Sequence, residues 1–255
     1  MPHTPASDSL RPASAPDFLL SRPGGSVRTQ GAARRFSDAW DAIDALEAGD
    51  VDMLVGALPF DQDCPAALTA PEKIVRESGT LEPHPYYRVG PGAQLSASVT
   101  SFDPSPQEHL RRIEAAIGTI ESSKLNKVVL ARAVDIAFDP PVDPRLVAAR
   151  LIDLSYTRDG FIADLTPSGR TGHFFVGSSP EVLVKRRGSE VSSRPLAGSA
   201  ARIPHDRDAD EAAAAALYNS AKDLGEHAYV VEHIRRVLAP LCSRLDIPDR
   251  PELEK

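Results

Sequence analysis

Two cysteines, one tryptophan and two methionines are all that 255 residues contain of these types, and each scarcity excludes something. Cys64 and Cys242 stand far apart without C-x-x-C spacing, so neither a disulfide framework nor a zinc ribbon is indicated, and free thiols in a reducing compartment are expected. Positive charge is in the minority: 29 Lys and Arg against 36 Asp and Glu give a formal charge of -7. With aromatic residues at 5%, the chain lacks both the basic face and the stacking platforms of a nucleic-acid binder. No run approaches the ~18 consecutive apolar residues of a membrane helix. The opening MPHTPASDSLRPASAPDF has no basic stretch followed by an apolar one, so it does not read as a secretory signal. A cytoplasmic protein with a small-molecule partner, no nucleic acid and no membrane, is the expectation.

What is present reads as α+β. FLLSRPGGSVRTQ (18–30) places β-prone residues on both sides of Pro-Gly-Gly and predicts a hairpin. FSDAWDAIDALEAGD (36–50) spaces its apolar residues at helical intervals and ends on Gly49. VDMLVGALPF (51–60) reads as a buried strand, 61–85 as connecting loops, and YYRVGPGAQLSASVTSF as further strand. From Ser105, Pro106 suits a first helical turn, and Leu110, Ile113, Ile117 and Ile120 recur at three and four. NKVVLARAVDI (126–136) then alternates like a strand, PRLVAARLIDLSY is helical, and FIADLTP and HFFVGSSP are strands. EVLVKRRGSEVSSRPLAG predicts a hairpin turned at Arg187-Gly188. Asp206–Leu245 reads as long helix broken near Leu224-Gly225. The expected divisions are a mobile tail over 1–16, a β-rich part over 17–104, and a catalytic region over 105–255.

Several familiar motifs fail on inspection. GSSPE (177–181) ends on Glu181 where a nucleophile elbow needs glycine. EHAYVVEH (226–233) matches neither HExxH nor its inverse, and RPGGSV lacks the residues of a P-loop or a dinucleotide fingerprint.

Four segments hold residues that packing alone does not explain: NKVVLARAV (126–134), FVGSSPEVLV (175–184), SSRPLAGSAAR (192–202) and SAKDLGEHAYVVEHIRRVL (220–238). On a strand, Lys127 shares a face with Val129 and Ala131, and a desolvated lysine can serve as a base. Taken singly, a strand-end lysine more often snorkels to water. Glu181 stands at a strand mouth, where burial could raise a carboxyl into the range of a proton donor, although an isolated glutamate is more often exposed. PLAGSA lets backbone approach a ligand closely, as many ordinary turns also do. Asp223 and Glu226, three apart, share a helix face; they either hold a hard cation such as Mg²⁺ or form a solvated acidic patch.

In this order the four segments resemble the chorismate-utilising enzymes, and most closely their isochorismate synthase branch. The likeness covers nearly the whole chain and is strongest from Lys127 to Pro248. It implies an α/β sandwich with large antiparallel sheets, monomeric at full length, binding chorismate and Mg²⁺ in a deep cleft. It implies that Lys127 is the general base that activates water, since relatives that use ammonia carry glutamine there. Glu181 is then the acid that protonates the departing 4-hydroxyl, and Gly198 and Ser199 contact substrate. Ala197 stands where aminodeoxychorismate synthases have a nucleophilic lysine, which argues against a covalent intermediate. Glu226 corresponds to a Mg²⁺ ligand with Asp223 in support. Family members continue beyond the point where this chain stops, so a missing C-terminal part and little or no activity in isolation are expected. Salicylate synthase is the nearest alternative, and a non-catalytic or partner-dependent fragment the alternative of another class.

Overall fold

The computed structural model describes residues 17–81, 87 and 94–254. The tail expected over 1–16, and the start of the strand expected after residue 85, lie outside them. In chain order the elements are β1 (Phe18–Ser21), β2 (Ser26–Gln30), β3 (Arg34–Phe36), α1 (Ala39–Glu47), β4 (Val55–Ala57), β5 (Ala67–Ala70) and β6 (Lys73–Glu77). There follow β7 (Ala97–Asp103), α2 (Pro106–Ser122), β8 (Ala133–Phe138), α3 (Pro144–Leu154), β9 (Gly160–Asp164) and β10 (Phe174–Gly177). The last are β11 (Val182–Arg187), β12 (Glu190–Arg194), α4 (Arg207–Tyr218) and α5 (Ala221–Leu238). Every strand pair among the described residues is antiparallel, which with five helices makes the class α+β. No helix among these residues is long and apolar enough to cross a membrane. The chain divides into two compact units, Met1–His109 with Arg132–Pro180, and Leu110–Ala131 with Glu181–Lys255.

The first unit is built on a five-stranded sheet ordered β10-β9-β1-β2-β6. Its β1–β2 hairpin turns where Pro-Gly-Gly predicted, with Gly25 at φ 134° donating its N–H to Arg22 O. Helix α3 is capped by Asp143, whose carboxylate accepts from Arg145 N–H, and starts on Pro144. Its apolar face buries Ala148 and Ile152 against Leu19, Leu81 and Ile162, with Phe174 and Val176 closing the cluster. A Cβ on Gly160 would lie 2.3 Å from Ile152 Cγ1, so only glycine admits so close a helix-to-strand approach. The buried Arg145 is matched by Asp17 at 2.9 Å and Asp143 at 3.2 Å. A second sheet, β3-β5-β4, packs Phe36 and Ala70 on Ala42 and Ala45 of α1. Residues 61–85 are not all loop, as β5 and β6 occupy 67–70 and 73–77. Two strands of four and five residues separated by Pro71 are too short for alternation to stand out. The strand expected over 51–60 shrinks to Val55–Ala57.

The second unit holds α2 from Leu110 onward, the β11–β12 hairpin, α4 and α5. The expected hairpin forms but turns through Gly188, at φ 60°, and Ser189, one residue later than Arg187-Gly188, since Arg187 still pairs with Glu190. The strand expected over 126–136 forms only from Ala133; among the described residues Asn126–Arg132 pair with no strand. Alternation describes a segment fit for a sheet, and pairing needs a partner that sequence pattern cannot supply. The helix break falls at Asn219-Ser220 and not at Leu224-Gly225. Ser220 caps α5 by accepting from Asp223 N–H, and that local hydrogen bond outweighs the modest propensity loss of one interior glycine.

Candidate active site

All seven residues singled out in the sequence lie in the second unit. Helix α5 supplies the acidic pair. Ser220 fixes its start, which sets Asp223 in the first turn, where the helix dipole favours an anion, and Glu226 one turn on along the same face. Lys127 joins them from the extended segment before β8, with Nζ 3.1 Å from Glu226 Oε1. A second lysine, Lys222, lies between the carboxylates, 3.3 Å from Asp223 Oδ1 and 3.5 Å from Glu226 Oε2. The Lys127 contact and then Lys222 hold the Glu226 carboxyl below its ordinary range. Asp223 is lowered too, first by the Ser220 hydroxyl and then by Lys222. Lys222 is raised in turn, with Asp223 the larger cause.

The loop Pro195–Ser199 is tied down at several points. Leu196 N–H donates to Glu181 Oε1 at 3.1 Å, so the glutamate grips the loop directly before Ala197. His227 Nε2 lies 3.3 Å from Pro195 O, linking the same loop to α5. Gly198 has φ 77°, and a Cβ there would sit 2.9 Å from Asp223 Cβ and 3.0 Å from Leu217 Cδ1. Glycine is required on both counts, conformation and space. The glutamate at the strand mouth is exposed, not buried as its sequence context suggested, while Lys127 is about one-third exposed.

Sequence reasoning thus named seven residues that fall in one unit but missed two of their neighbours. Lys222 precedes Asp223 and is four residues before Glu226, a spacing that does signal a helical ion pair. His227 was set aside with the failed zinc motif, and nothing local announces its contact with Pro195.

No cluster of three or more His, Cys, Asp or Glu occurs among the described residues. Two partly exposed carboxylates held ionised, with an ammonium already between them, nevertheless fit Mg²⁺, which takes one or two carboxylates and keeps water.

The second unit of this α+β chain thus brings the small-residue loop at Gly198 against Asp223, and Lys127 and Lys222 against Glu226. Residues 73–255 match the chorismate binding enzyme family, and the chain belongs to it. It is 40% identical over 244 residues to MenF of Mycobacterium tuberculosis strain H37Rv, covering 94% of this chain and 64% of that protein. It is 34% identical over 206 residues to the isochorismate synthase DhbC of Bacillus subtilis strain 168, covering 80% of this chain and 50% of that one. Its fold is similar to that of MenF, the menaquinone-specific isochorismate synthase from Escherichia coli, with a TM-score of 0.72 and 26% identity over 89% of this chain and 58% of the other. The chain therefore spans half to two-thirds of the length of these relatives.

Proposed function

We propose that this chain carries the reacting residues of an isochorismate synthase, converting chorismate to isochorismate for menaquinone or siderophore synthesis in the cytoplasm. The observation that carries the reading is the convergence of Lys127, Asp223, Glu226 and the Gly198 loop in one unit of a chorismate-binding enzyme. The names of relatives that make isochorismate support the choice of product, and two free thiols accord with a reducing compartment.

In this mechanism the neutral amine of Lys127 takes a proton from water as the oxygen attacks C2 of the ring. The double bonds shift, and the C4–O bond breaks as Glu181 protonates the departing hydroxyl, which leaves as water. One hydroxyl is gained and one lost, so the product is an isomer. Lys127 must leave its ion pair with Glu226 and release its ammonium proton to solvent before its lone pair is available, and Glu181 must exchange its hydrogen bond to Leu196 N–H for the substrate hydroxyl. Mg²⁺ held by Glu226, with Asp223 in support, would neutralise the ring carboxylate and polarise the conjugated system. Gly198 and Ser199 present backbone to the substrate, and Ala197 leaves no nucleophile on that loop, so no covalent intermediate forms.

The test is incubation with chorismate, with and without Mg²⁺, and chromatography of products. Isochorismate formed only with Mg²⁺ supports the reading. Salicylate with pyruvate would replace it with a salicylate synthase, and unchanged chorismate in the presence of a complete fold would reject it.

A further inference from the structure

The first unit holds a buried ion pair between two turns. Asp159, which links α3 to β9, has its side chain 4% exposed, and Arg22, which opens the β1–β2 turn, 24%. A carboxylate so buried has to be paired and hydrogen-bonded. Asp159 Oδ1 accepts from Arg22 Nη1 at 3.1 Å, and its other oxygen accepts from Thr157 Oγ1. The backbone of the same residue is engaged too: its N–H donates to Ser155 Oγ at 3.1 Å, and its carbonyl accepts from Ser178 Oγ at 2.8 Å. Arg158, directly before it, has φ 56°, a left-handed conformation that persists only where the surroundings over-determine it and that gathers at functional sites. Here Arg158 N–H donates to Ser155 O at 3.0 Å, its carbonyl accepts from the buried Ser21 Oγ at 2.8 Å, and its guanidinium pairs with Asp153. Stability alone does not call for a charged pair at this point, since apolar residues of the same shape commonly do as well. The pair makes one bond more: Arg22 Nη1, the nitrogen that meets Asp159, also donates to Ser179 O.

That bond falls where the chain leaves its sheet. Gly177 is the last residue of β10 paired with β9, Val182 is the first of β11 paired with β12, and residues 178–181 between them belong to no strand. Ser178 is tied to Asp159 O and Ser179 to Arg22, so both serines are fixed from the turn that holds Asp159. Peptide planarity and the locked φ of Pro180 carry the constraint onward: Pro180 ψ is the one soft dihedral between the anchored Ser179 carbonyl and the Cα of Glu181. We infer that Arg22 and Asp159 are positioning residues for Glu181, which hold the Ser179 carbonyl so that the glutamate leaves a rigid anchor in one direction. The inference rests on the proposed role of Glu181 as the acid and adds the residues that aim it.

The experiment joins ¹⁵N relaxation of the chain without substrate to steady-state kinetics with chorismate and Mg²⁺. Arg22→Met combined with Asp159→Asn removes both charges together, so no unpaired carboxylate is left buried. In this double variant the order parameters of the Ser179 and Glu181 amides are expected to fall from ~0.85 to below ~0.6, while Ile162 in β9 stays near ~0.85. The same variant lowers kcat by about tenfold or more with KM within about twofold, because a displaced proton donor slows the chemical step and leaves binding intact. Arg22→Lys, whose ammonium can take the place of Nη1 between the two oxygens, keeps both measurements near wild type. Unchanged order at Glu181 in the double variant overturns the inference. So does a loss of order shared by Ile162, which would make the pair a support of the sheet, and so does an undiminished kcat beside a loosened Glu181. A wild-type chain that leaves chorismate unchanged rejects the proposed reaction instead, and the order parameters then decide the anchoring by themselves.

Discussion

Replacing Gly198 by alanine separates two contributions that the site geometry combines. The residue sits at φ 77°, and the left-handed region is worth ~1–2 kcal/mol against any L-residue. The added methyl would also lie 2.9 Å from Asp223 Cβ and 3.0 Å from Asp223 Cγ and Leu217 Cδ1. Two of these three atoms belong to the proposed cation site, so relief of the clash moves the Asp223 carboxylate. Overpacking of this sort adds ~1–3 kcal/mol. Gly188→Ala is the control, because Gly188 has φ 60° in the same unit but nothing within 4 Å of its would-be Cβ. Opening free energies of α5 from amide exchange, with Mn²⁺ titration by electron paramagnetic resonance, measure both effects. The expected result is destabilisation of ~1–2 kcal/mol for the control and ~2–5 kcal/mol for Gly198→Ala, with about tenfold weaker Mn²⁺ binding only in the latter. Equal destabilisation with unchanged Mn²⁺ affinity in both would refute the claim that Gly198 is fitted to Asp223.

Three further outcomes follow from the geometry. Glu226→Gln removes a carboxylate from the pair and is expected to weaken Mn²⁺ binding by an order of magnitude or more while α5 keeps its exchange protection; undiminished affinity would remove Glu226 from the cation site. Because Glu226 is lowered chiefly by Lys127, its ion pair exists above the ordinary carboxylate range and is lost only as pH falls through the lowered value. Carboxyl ¹³C shifts should accordingly titrate below the ordinary 4.5 and move back up in Lys127→Met; a midpoint unmoved by that substitution would show that the pair does not form. In the first unit, Ile152→Ala should cost ~2–5 kcal/mol in urea unfolding, since the side chain is 1% exposed between α3 and β9; a loss under ~1 kcal/mol would mean the cluster collapses to fill the space.

Local chemistry was legible wherever it decided the structure. Pro-Gly-Gly set the β1–β2 hairpin, Pro106 opened α2, and Gly188 turned β11 into β12, because each needs only its neighbours in sequence. Gly225 misled for the same reason: its propensity is local, but the Ser220 cap and the helical hydrogen bonds around it prevailed. Residues 126–132 show the limit of pattern, since alternation marks a segment able to join a sheet without providing its neighbour. The site was legible in part. Asp223 and Glu226 follow from helical spacing, whereas Lys127 meets Glu226 across 99 positions, a meeting that periodicity cannot foresee. The family likeness connected those residues before the geometry did. Lys222 contributes through a bridge within α5 that its spacing does signal, whereas His227 meets the Pro195 carbonyl, a contact that depends on where the 195–199 loop lands.

The measurement that tests the central claim most directly is turnover of chorismate by this chain in H₂¹⁸O with Mg²⁺, followed by mass spectrometry of the product. Activation of water by Lys127 predicts isochorismate carrying one ¹⁸O at C2, and loss of that product in Lys127→Gln. Isochorismate without the label, or labelled product undiminished in Lys127→Gln, would contradict the account.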